Sequence, residues 1–306
     1  MARLIVGRLL FVVPAALALV TFLFALFHAL PGDPAVILAG ENAPRAAVES
    51  IRRAYGFDRP LPVQYWTYIT RVLQGDLGVS TYTRDPVTLS VLPRVINTAQ
   101  LALLSMLFAM VVSLALGCLS AMYWNRPFDK LVTAVSLLGI CTPVFVSGLL
   151  AIYFFSVHLG WLPIAGMTSW RHFVLPVLTL GALQAAMLTR MVRSCMVDAL
   201  GRDYIITARA KGAPEYLVVF KHALRNALLP IVTLFGLGLG HTLGGSVVTE
   251  TIFNWPGLGR LMVNSILTRD LPVTQAAILF FAALFILVNL AVDLLYAWID
   301  PRIRYD

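Results

Sequence analysis

Six long apolar runs limit what this chain can fold into more than any other feature of its sequence. Each run reaches about 20 residues, the length that an α-helix needs to cross the roughly 30 Å hydrocarbon core of a bilayer. Lipid offers the backbone no hydrogen-bond partners, so each crossing segment is expected to be helical. We therefore predict an all-α membrane protein with six transmembrane helices. The approximate limits of the runs are Leu9–Leu30, Thr98–Trp124, Leu131–Val157, Phe173–Val192, Ala227–Val248 and Gln275–Ile299.

The composition agrees with a membrane protein and argues against a soluble enzyme. Of the 306 residues, 59% are hydrophobic and 12% are charged, whereas an ordinary soluble domain has about twice that charged fraction. The first run follows Arg3 and Arg8, as the apolar core of a signal peptide would. At about 22 residues it is longer than the 7–15 residues of such a core. We expect it to be an uncleaved first span.

The distribution of arginine and lysine predicts the orientation. With the N-terminus inside, the inner segments and their edges hold thirteen basic residues and the short outer loops hold three. Basic residues favour the cytoplasmic side of a membrane, so we expect both termini to be cytoplasmic. We divide the chain into 1–97, the first helix with a long periplasmic loop, and 98–306, a five-helix core that carries a cytoplasmic loop at 193–226.

The inner loop at 193–226 is the most informative segment outside the runs. Asp203 is suited to cap the start of a short helix and Gly212 to end it, and Pro214 is suited to the first turn of another helix. Ile205, Ala208 and Ala210 would give the short helix a small apolar face between cations. Such a face can dock in a groove of a partner protein, or the helix can lie on the lipid headgroups. The residues alone leave both interpretations open.

Several motifs resemble one protein family. Tyr204–Gly212 and His222–Pro230 resemble the cytoplasmic "EAA" loop of permease subunits in binding-protein-dependent ABC importers, and more closely that of the peptide and nickel branch. The general pattern has glutamate where this chain has Ile206, and its glycine-to-proline gap is shorter, but the peptide branch shares the longer gap. Further segments match that branch in the same order: Leu30–Pro34, Gly75–Gly78, Trp255–Arg260 and Asp300–Arg304.

The resemblance implies a type I ABC importer permease (MetI-like) fold and a mechanism. The implied partners are a second homologous permease subunit, two cytoplasmic ABC ATPases and a periplasmic solute-binding protein, assembled in the bacterial inner membrane. A coupling helix would sit in a groove of one ATPase and transmit ATP-driven closure to the spans as a rigid-body motion. The implied coupling residues are Asp203, Tyr204, Thr207, Ala208, Arg209, Ala210, Lys211, Gly212, Ala213, Pro214 and Glu215.

The chain has no ATP-binding motif of its own. A P-loop needs lysine directly after glycine, and none of Lys130, Lys211 and Lys221 follows one. We therefore expect a non-catalytic transport subunit with no cofactor and no metal site, ATP and Mg being held by the partner ATPases. Two rival classes are a membrane-embedded hydrolase, for which Ser147-Gly148 lacks the nucleophile motif, and a passive channel, for which no filter motif is present.

Small, kinked and polar positions within the runs are candidates for the translocation pathway or for packing between permeases. Glycines four residues apart allow helices to approach closely, proline can kink a helix, and an ionisable group within a span is a functional candidate. Packing within the chain, and a structural hydrogen bond or ion pair at Asp293, are the plainer alternatives. The candidates are Pro143, Gly236, Gly240, Gly244, Asn289 and Asp293.

The turn-rich outer segments provide candidate periplasmic loop contacts. Asp33 and Glu250 are expected to be solvated charges at the outer rim, with contact to a cationic end of the substrate as the alternative. The short loop His158–His172 is more like that of glutathione-type permeases than that of dipeptide ones. We expect transport of glutathione or of di- and oligopeptides, with nickel or another small solute as the alternative. The candidate contact residues are Pro31, Gly32, Asp33, Pro34, Trp255, Pro256 and Gly257.

Overall fold

The computed structural model describes residues 2–29, 33–40 and 43–299. Over these residues the chain is built from α-helices and two π-helical stretches, Ile152–His158 and Val218–Ala223, and it forms one isolated bridge, between Val79 and Pro86, but no strand. The all-α prediction is therefore confirmed. The helices are α1 Ala2–Ala29, α2 Pro34–Ala39, α3 Arg45–Tyr55, α4 Leu61–Leu73, α5 Val87–Met122, α6 Pro127–Cys141, α7 Val144–Ala151, α8 Arg171–Leu200, α9 Asp203–Ala210, α10 Glu215–Leu217, α11 Leu224–Ile252, α12 Leu258–Leu267 and α13 Leu271–Ile299.

Four described helices are long and apolar enough to cross a membrane. They are α5, α8, the part of α11 from Pro230 and the part of α13 up to Val292. In α1 the apolar stretch with described side chains, Val13–Leu26, is shorter than a full crossing. A multi-pass membrane protein is thus confirmed, and the number of six spans stays a prediction.

The third apolar run is broken at Pro143. α6 and α7 meet at an angle of 102°, and Thr142 between them is extended (φ −87°, ψ 118°). Proline lacks a backbone N–H and clashes with a helical conformation of the residue before it. The kink predicted at Pro143 is therefore a sharp break, after which α7 continues into a π-helical turn, Ile152–His158.

One compact unit comprises 98–256 and, among the described residues, 287–299. Its core forms where α8 packs against α11, α6 and α7. Glycines set the approach of α5 to α8: a Cβ added at Gly181 would lie 2.8 Å from the carbonyl oxygen of Ser105, and one at Gly117 would lie 2.6 Å from Cγ1 of Val192. Because glycine has no side chain, the two helices can approach more closely at these points than any other residue would allow.

The other compact unit comprises 2–97 and 257–286. Besides the residues before 98, this unit takes in α12 and the first half of α13, and the division of the chain into 1–97 and 98–306 stays a prediction. Val87, Val91, Leu258 and Ala277 are buried in its core. Asp270 accepts hydrogen bonds from the Ser80 hydroxyl (2.5 Å) and the Thr81 backbone N–H (3.2 Å), which ties the start of α13 to the loop before α5.

A buried ion pair fastens the turn between α5 and α6 to α8. Asp129 forms a bidentate pair with Arg193, with 2.7 Å between Oδ2 and Nη2. The same carboxylate accepts the Ser120 hydroxyl (2.5 Å) and the Asn125 backbone N–H (2.9 Å). We call this set of four residues the clasp. It holds α8 a few turns before α8 leads into α9, where the predicted coupling segment begins.

Candidate functional site

The predicted coupling segment is a helix, a sharp bend and a second helical stretch. Gly212 ends α9 in the left-handed conformation (φ +76°), its N–H bonds to the Arg209 carbonyl (2.9 Å), and the Ala213 N–H reaches back to Ala208 (3.2 Å). This pair of bonds is the Schellman arrangement that a glycine after a helix favours. The bend is therefore a defined backbone structure. The end predicted at Gly212 agrees with it.

The starts of the two helices differ by one residue from the sequence prediction. Arg202 occupies the N-cap position of α9, and Asp203 is the first helical residue. Its negative charge still suits that end of the helix dipole. Pro214 is the N-cap residue of α10, where its fixed φ is compatible with the turn and its missing N–H costs nothing.

The segment and the helical stretch directly after it are anchored in the chain's own core. Ile205, Val218, Val219 and Ala223 are fully buried and pack in one cluster that includes Met196 of α8. The prediction that Ile205 forms the apolar face offered to a partner is therefore wrong, because its side chain fills the core beneath α9. Such anchoring makes the segment a rigid extension of the spans.

The side chains that are exposed on the segment and on the helical stretch directly after it are different apolar ones. Ile206 and Tyr216 are each 62% exposed, Phe220 is 58% exposed and Tyr204 is 39% exposed. We call these four residues the exposed apolar set. Tyr204 is among the predicted coupling residues. Tyr216 and Phe220 are not, and Ile206 is noted only because it stands where the general family pattern has glutamate. The signal was present, since large apolar residues in a cation-rich loop need either a core or a partner.

The remaining residues of the segment are mainly solvent-facing. Thr207, Arg209, Ala210 and Lys211 are exposed, and Ala208 is half-buried against the core cluster. Arg209 and Glu215 bridge the bend with a bidentate pair, 2.6 Å between Nη2 and Oε1. The Arg209 guanidinium holds the pKa of Glu215 below its usual value. The segment thus presents a mixed apolar and cationic surface.

The predicted glycine ladder of α11 turns gradually from the interior to the surface. Gly236 is buried, Gly240 is half-buried and Gly244 is exposed, with no atom within 4 Å of a Cβ added there. The close approach to α8 runs instead through Gly238 and Gly245: a Cβ at Gly238 would lie 3.3 Å from Nε2 of Gln184. Packing of Gly244 against another subunit stays a prediction.

Two further pathway candidates lie in α13. Asn289 is half-buried in that helix and makes an interaction within the chain. Asp293 lies in the helix, and its side chain is outside the described residues. A role for either residue in the pathway stays a prediction, as does one for Pro143 beyond the break that it causes.

The predicted outer-loop contacts are partly structural. Trp255 is fully buried, with its ring edge-on to Phe173 at 4.6 Å, and Gly257 is the buried N-cap residue of α12. These two residues stabilise the loop from inside and do not face a partner, while Pro256 is half-buried. Glu250, expected as a rim charge, is fully buried and accepts the Thr98 hydroxyl (2.6 Å).

The first outer segment is described only from Asp33 onward. Pro31 and Gly32 lie outside the described residues. Asp33 accepts the Ala35 backbone N–H (3.0 Å), which caps α2, and pairs with Arg52 of α3. Pro34 is the first residue of α2. Asp33 is therefore a structural cap and ion-pair partner in this segment.

Comparisons with known proteins cover the whole chain. The sequence profile of the "Binding-protein-dependent transport system inner membrane component" family matches residues 113–305, and the profile of the N-terminal part of such membrane components matches residues 1–102. The chain is 48% identical to the glutathione transport system permease protein GsiC of Salmonella typhimurium and 47% identical to that of Escherichia coli K12, over 100% of both chains in each case. A solved structure of the MetNI methionine ABC transporter in an inward-facing conformation aligns with 70% of this chain and 97% of its own, at a TM-score of 0.60 and 21% identity. That last likeness concerns the fold.

Proposed function

Because the chain belongs to the family of inner-membrane components of binding-protein-dependent transport systems, we propose that it is the permease subunit of an ATP-driven importer and that the segment 203–215 couples it to an ATPase. The family consists of non-catalytic membrane components, so the energy comes from another chain. ATP and Mg would be held by two cytoplasmic ABC ATPases. A second homologous permease would complete the translocation pathway, and a periplasmic solute-binding protein would deliver the substrate.

The exposed apolar set carries the coupling proposal. A lone helix on the headgroups needs no rigid support, but this segment is fixed to α8 through Ile205 and ends in a hydrogen-bonded bend at Gly212. Apolar side chains held outward on a fixed support suit insertion into a groove of a partner. Their burial there would contribute about 25 cal/mol per Å² of apolar surface removed from water.

The topology that serves this function has six spans with both termini in the cytoplasm. The basic residues of the inner loop support that orientation, and the break at Pro143 would lie within the third crossing. The chain would then reside in the bacterial inner membrane.

The proposed substrates are glutathione and short peptides. The support is the full-length similarity to proteins named glutathione transport permeases and the short loop after α7. Nickel or another small solute of the same branch is the alternative. Uptake of labelled glutathione, a dipeptide and nickel by cells that contain the complete transporter separates these substrates, and competition between the first two identifies a shared route.

The coupling role is tested at Ile206, which is exposed and not part of the chain's own core. Ile206→Asp places an unpaired charge in the proposed interface, which should cost several kcal/mol of binding free energy. A tenfold weaker affinity corresponds to about 1.4 kcal/mol. We expect at least a tenfold loss of ATPase co-purification and of uptake, at normal abundance in the membrane. Ala208→Asp is a poorer test, because Ala208 packs against the core.

A matched control exists in the loop after α7. Ile164 is 53% exposed, against 62% for Ile206, and lies outside the coupling segment. Ile164→Asp should leave ATPase binding and uptake within twofold of the wild type. If Ile206→Asp behaves like Ile164→Asp in both assays, the segment is not the coupling element.

A further inference from the structure

A groove in the unit formed by 2–97 and 257–286 joins a mainly apolar chamber, into which a few polar and charged side chains project, to an almost entirely apolar channel. The chamber has about 870 Å³ of empty space including its open mouth, and α1, α4, α13 and the turn at 76–78 line it. The channel has about 670 Å³ on the same basis and lies along α5 and α13. Val72, Leu77 and Leu279 line both. The two spaces are therefore one groove with chemically different ends.

The chamber offers one positive and one negative side chain. Arg71 and Asp76 both line it, and Asp76 is held in place by accepting the Gly78 backbone N–H (3.0 Å). His28 and Gln64 bond to each other at 3.1 Å on its wall. Burial raises the pKa of Tyr68 to about 12, so its hydroxyl remains a hydrogen-bond donor. This lining suits a ligand that carries both a negative and a positive group.

The channel is apolar and lies along a candidate span that is largely exposed. Leu92, Phe280 and Ala283 line it beyond the shared residues. Of the four candidate spans among the described residues, α13 is the most exposed. Within the chain, 11% of its most apolar stretch is buried, against 39–50% in the other three. The groove as a whole follows α13 from Pro272 in the chamber to Ala283 in the channel. That distance is roughly 16 Å, at 1.5 Å per residue.

The helix over the chamber has the character of a segment at the membrane surface. α4 has no buried residue, and it exposes Trp66 (67%) and Leu73 (81%). Exposed tryptophan is typical of the boundary between lipid and water. With α4 at that boundary, the charged groups of the chamber would lie at the level of the headgroups and the channel at the level of the acyl chains.

We propose that this groove binds one zwitterionic phospholipid, with its phosphate at Arg71, its ammonium group at Asp76 and an acyl chain along α13. A phosphate is a preferred partner of an arginine fork. A peptide or glutathione fits less well, because its amide groups would enter the apolar channel without hydrogen-bond partners, which is costly. The site is separate from the coupling segment and does not depend on the coupling proposal.

The test is photolabelling in membranes that contain the complete transporter. The probe is phosphatidylethanolamine with a diazirine in one acyl chain, and mass spectrometry locates the adducts. We expect adducts on α13 between residues 276 and 283. Leu279→Trp, which fills the channel, should reduce them at least fivefold. Leu287→Trp is the matched control, since Leu287 is 61% exposed on the same helix and lines neither space, and it should leave labelling unchanged.

The headgroup preference and competition decide the identity of the occupant. Phosphatidylglycerol with the same diazirine chain should label at least threefold less than phosphatidylethanolamine, and Asp76→Asn should remove that difference. Equal labelling of the wild type and Leu279→Trp would overturn the proposal. So would loss of labelling on addition of millimolar glutathione or dipeptide, since the groove would then hold a solute.

Discussion

Two arginine–carboxylate pairs in the same unit have similar geometry and opposite surroundings. Asp129–Arg193 in the clasp and Arg209–Glu215 at the bend are both bidentate, with shortest Nη2–O distances of 2.7 and 2.6 Å. The side chains of the first pair are 3% and 25% exposed, and those of the second are 51% and 46% exposed, carboxylate first in each case. Comparison of the two pairs therefore separates the contribution of geometry to stability from the contribution of burial.

Burial makes the loss of one partner costly in the first pair and nearly neutral in the second. In the clasp, Ser120 and Asn125 also donate to the carboxylate, so removal of Asp129 would leave a half-buried guanidinium and two donors without an acceptor. At the bend, water replaces whatever the pair loses, and exposed pairs contribute about 0–1 kcal/mol. The backbone at Gly212 therefore determines the bend. The clasp determines how the turn between α5 and α6 is held against α8.

The largest expected effect comes from Asp129→Ala. Removing one partner of a buried pair typically costs about 3–5 kcal/mol, so we expect strong loss of protein from the membrane and a lower unfolding midpoint of the solubilised transporter. Ser120→Ala removes one donor to the same carboxylate and should cost about 1 kcal/mol. Equal stability of these two variants would contradict the assigned role of the clasp.

The double variant Asp129→Leu/Arg193→Met sharpens the comparison. Replacing both buried charges by apolar side chains is often neutral or stabilising, so we expect it to recover most of the stability lost in Asp129→Ala. The same measurement of the unfolding midpoint checks this. If the double variant is as unstable as Asp129→Ala, the clasp depends on more than charge neutralisation.

An intermediate effect is expected at Gly212. Alanine in the left-handed region costs roughly 1–2 kcal/mol of stability. Gly160 has a φ of +64° and, like Gly212, open space for a Cβ, so the same substitution there should cost the same amount. Gly212→Ala and Gly160→Ala should therefore lower the unfolding midpoint equally. Only Gly212→Ala should reduce ATP hydrolysis stimulated by the binding protein and uptake. Equal uptake by the two variants would mean that the bend does not transmit motion.

The helices and the bend could be predicted from the sequence because their causes are local. Apolar runs follow from the length of a bilayer crossing, and Gly212 ends α9 because the chain needs a left-handed residue there. The sequence predicts the break at Pro143 only as a kink, since the angle of the break depends on how α6 and α7 pack on α8. Local patterns thus predict where an element ends better than where the next one points.

The side-chain environments could not be predicted because their partners are distant in sequence. Arg193 lies 64 residues after Asp129, and Glu250 lies 152 residues after Thr98. Ile205 and Ile206 are chemically identical neighbours, yet one fills the core and the other is exposed. Over eight residues the apolar pattern of α9 is too short to show which face is inward. Tertiary packing decides that, and with it the surface available to a partner.

The smallest effect is expected at Glu215. Because Arg209 lowers the pKa of Glu215 in the folded state, the pair's stabilisation is fully present above the unfolded pKa and is lost as the pH falls through the folded pKa. Glu215→Gln should lower the free energy of unfolding at pH 7 by no more than about 1 kcal/mol, and less at high salt. The difference between wild type and variant should vanish as the pH is lowered below the usual range for glutamate. A loss as large as that of Asp129→Ala would show that the bend depends on its exposed pair, and the contrast between the two pairs would then rest on something other than burial.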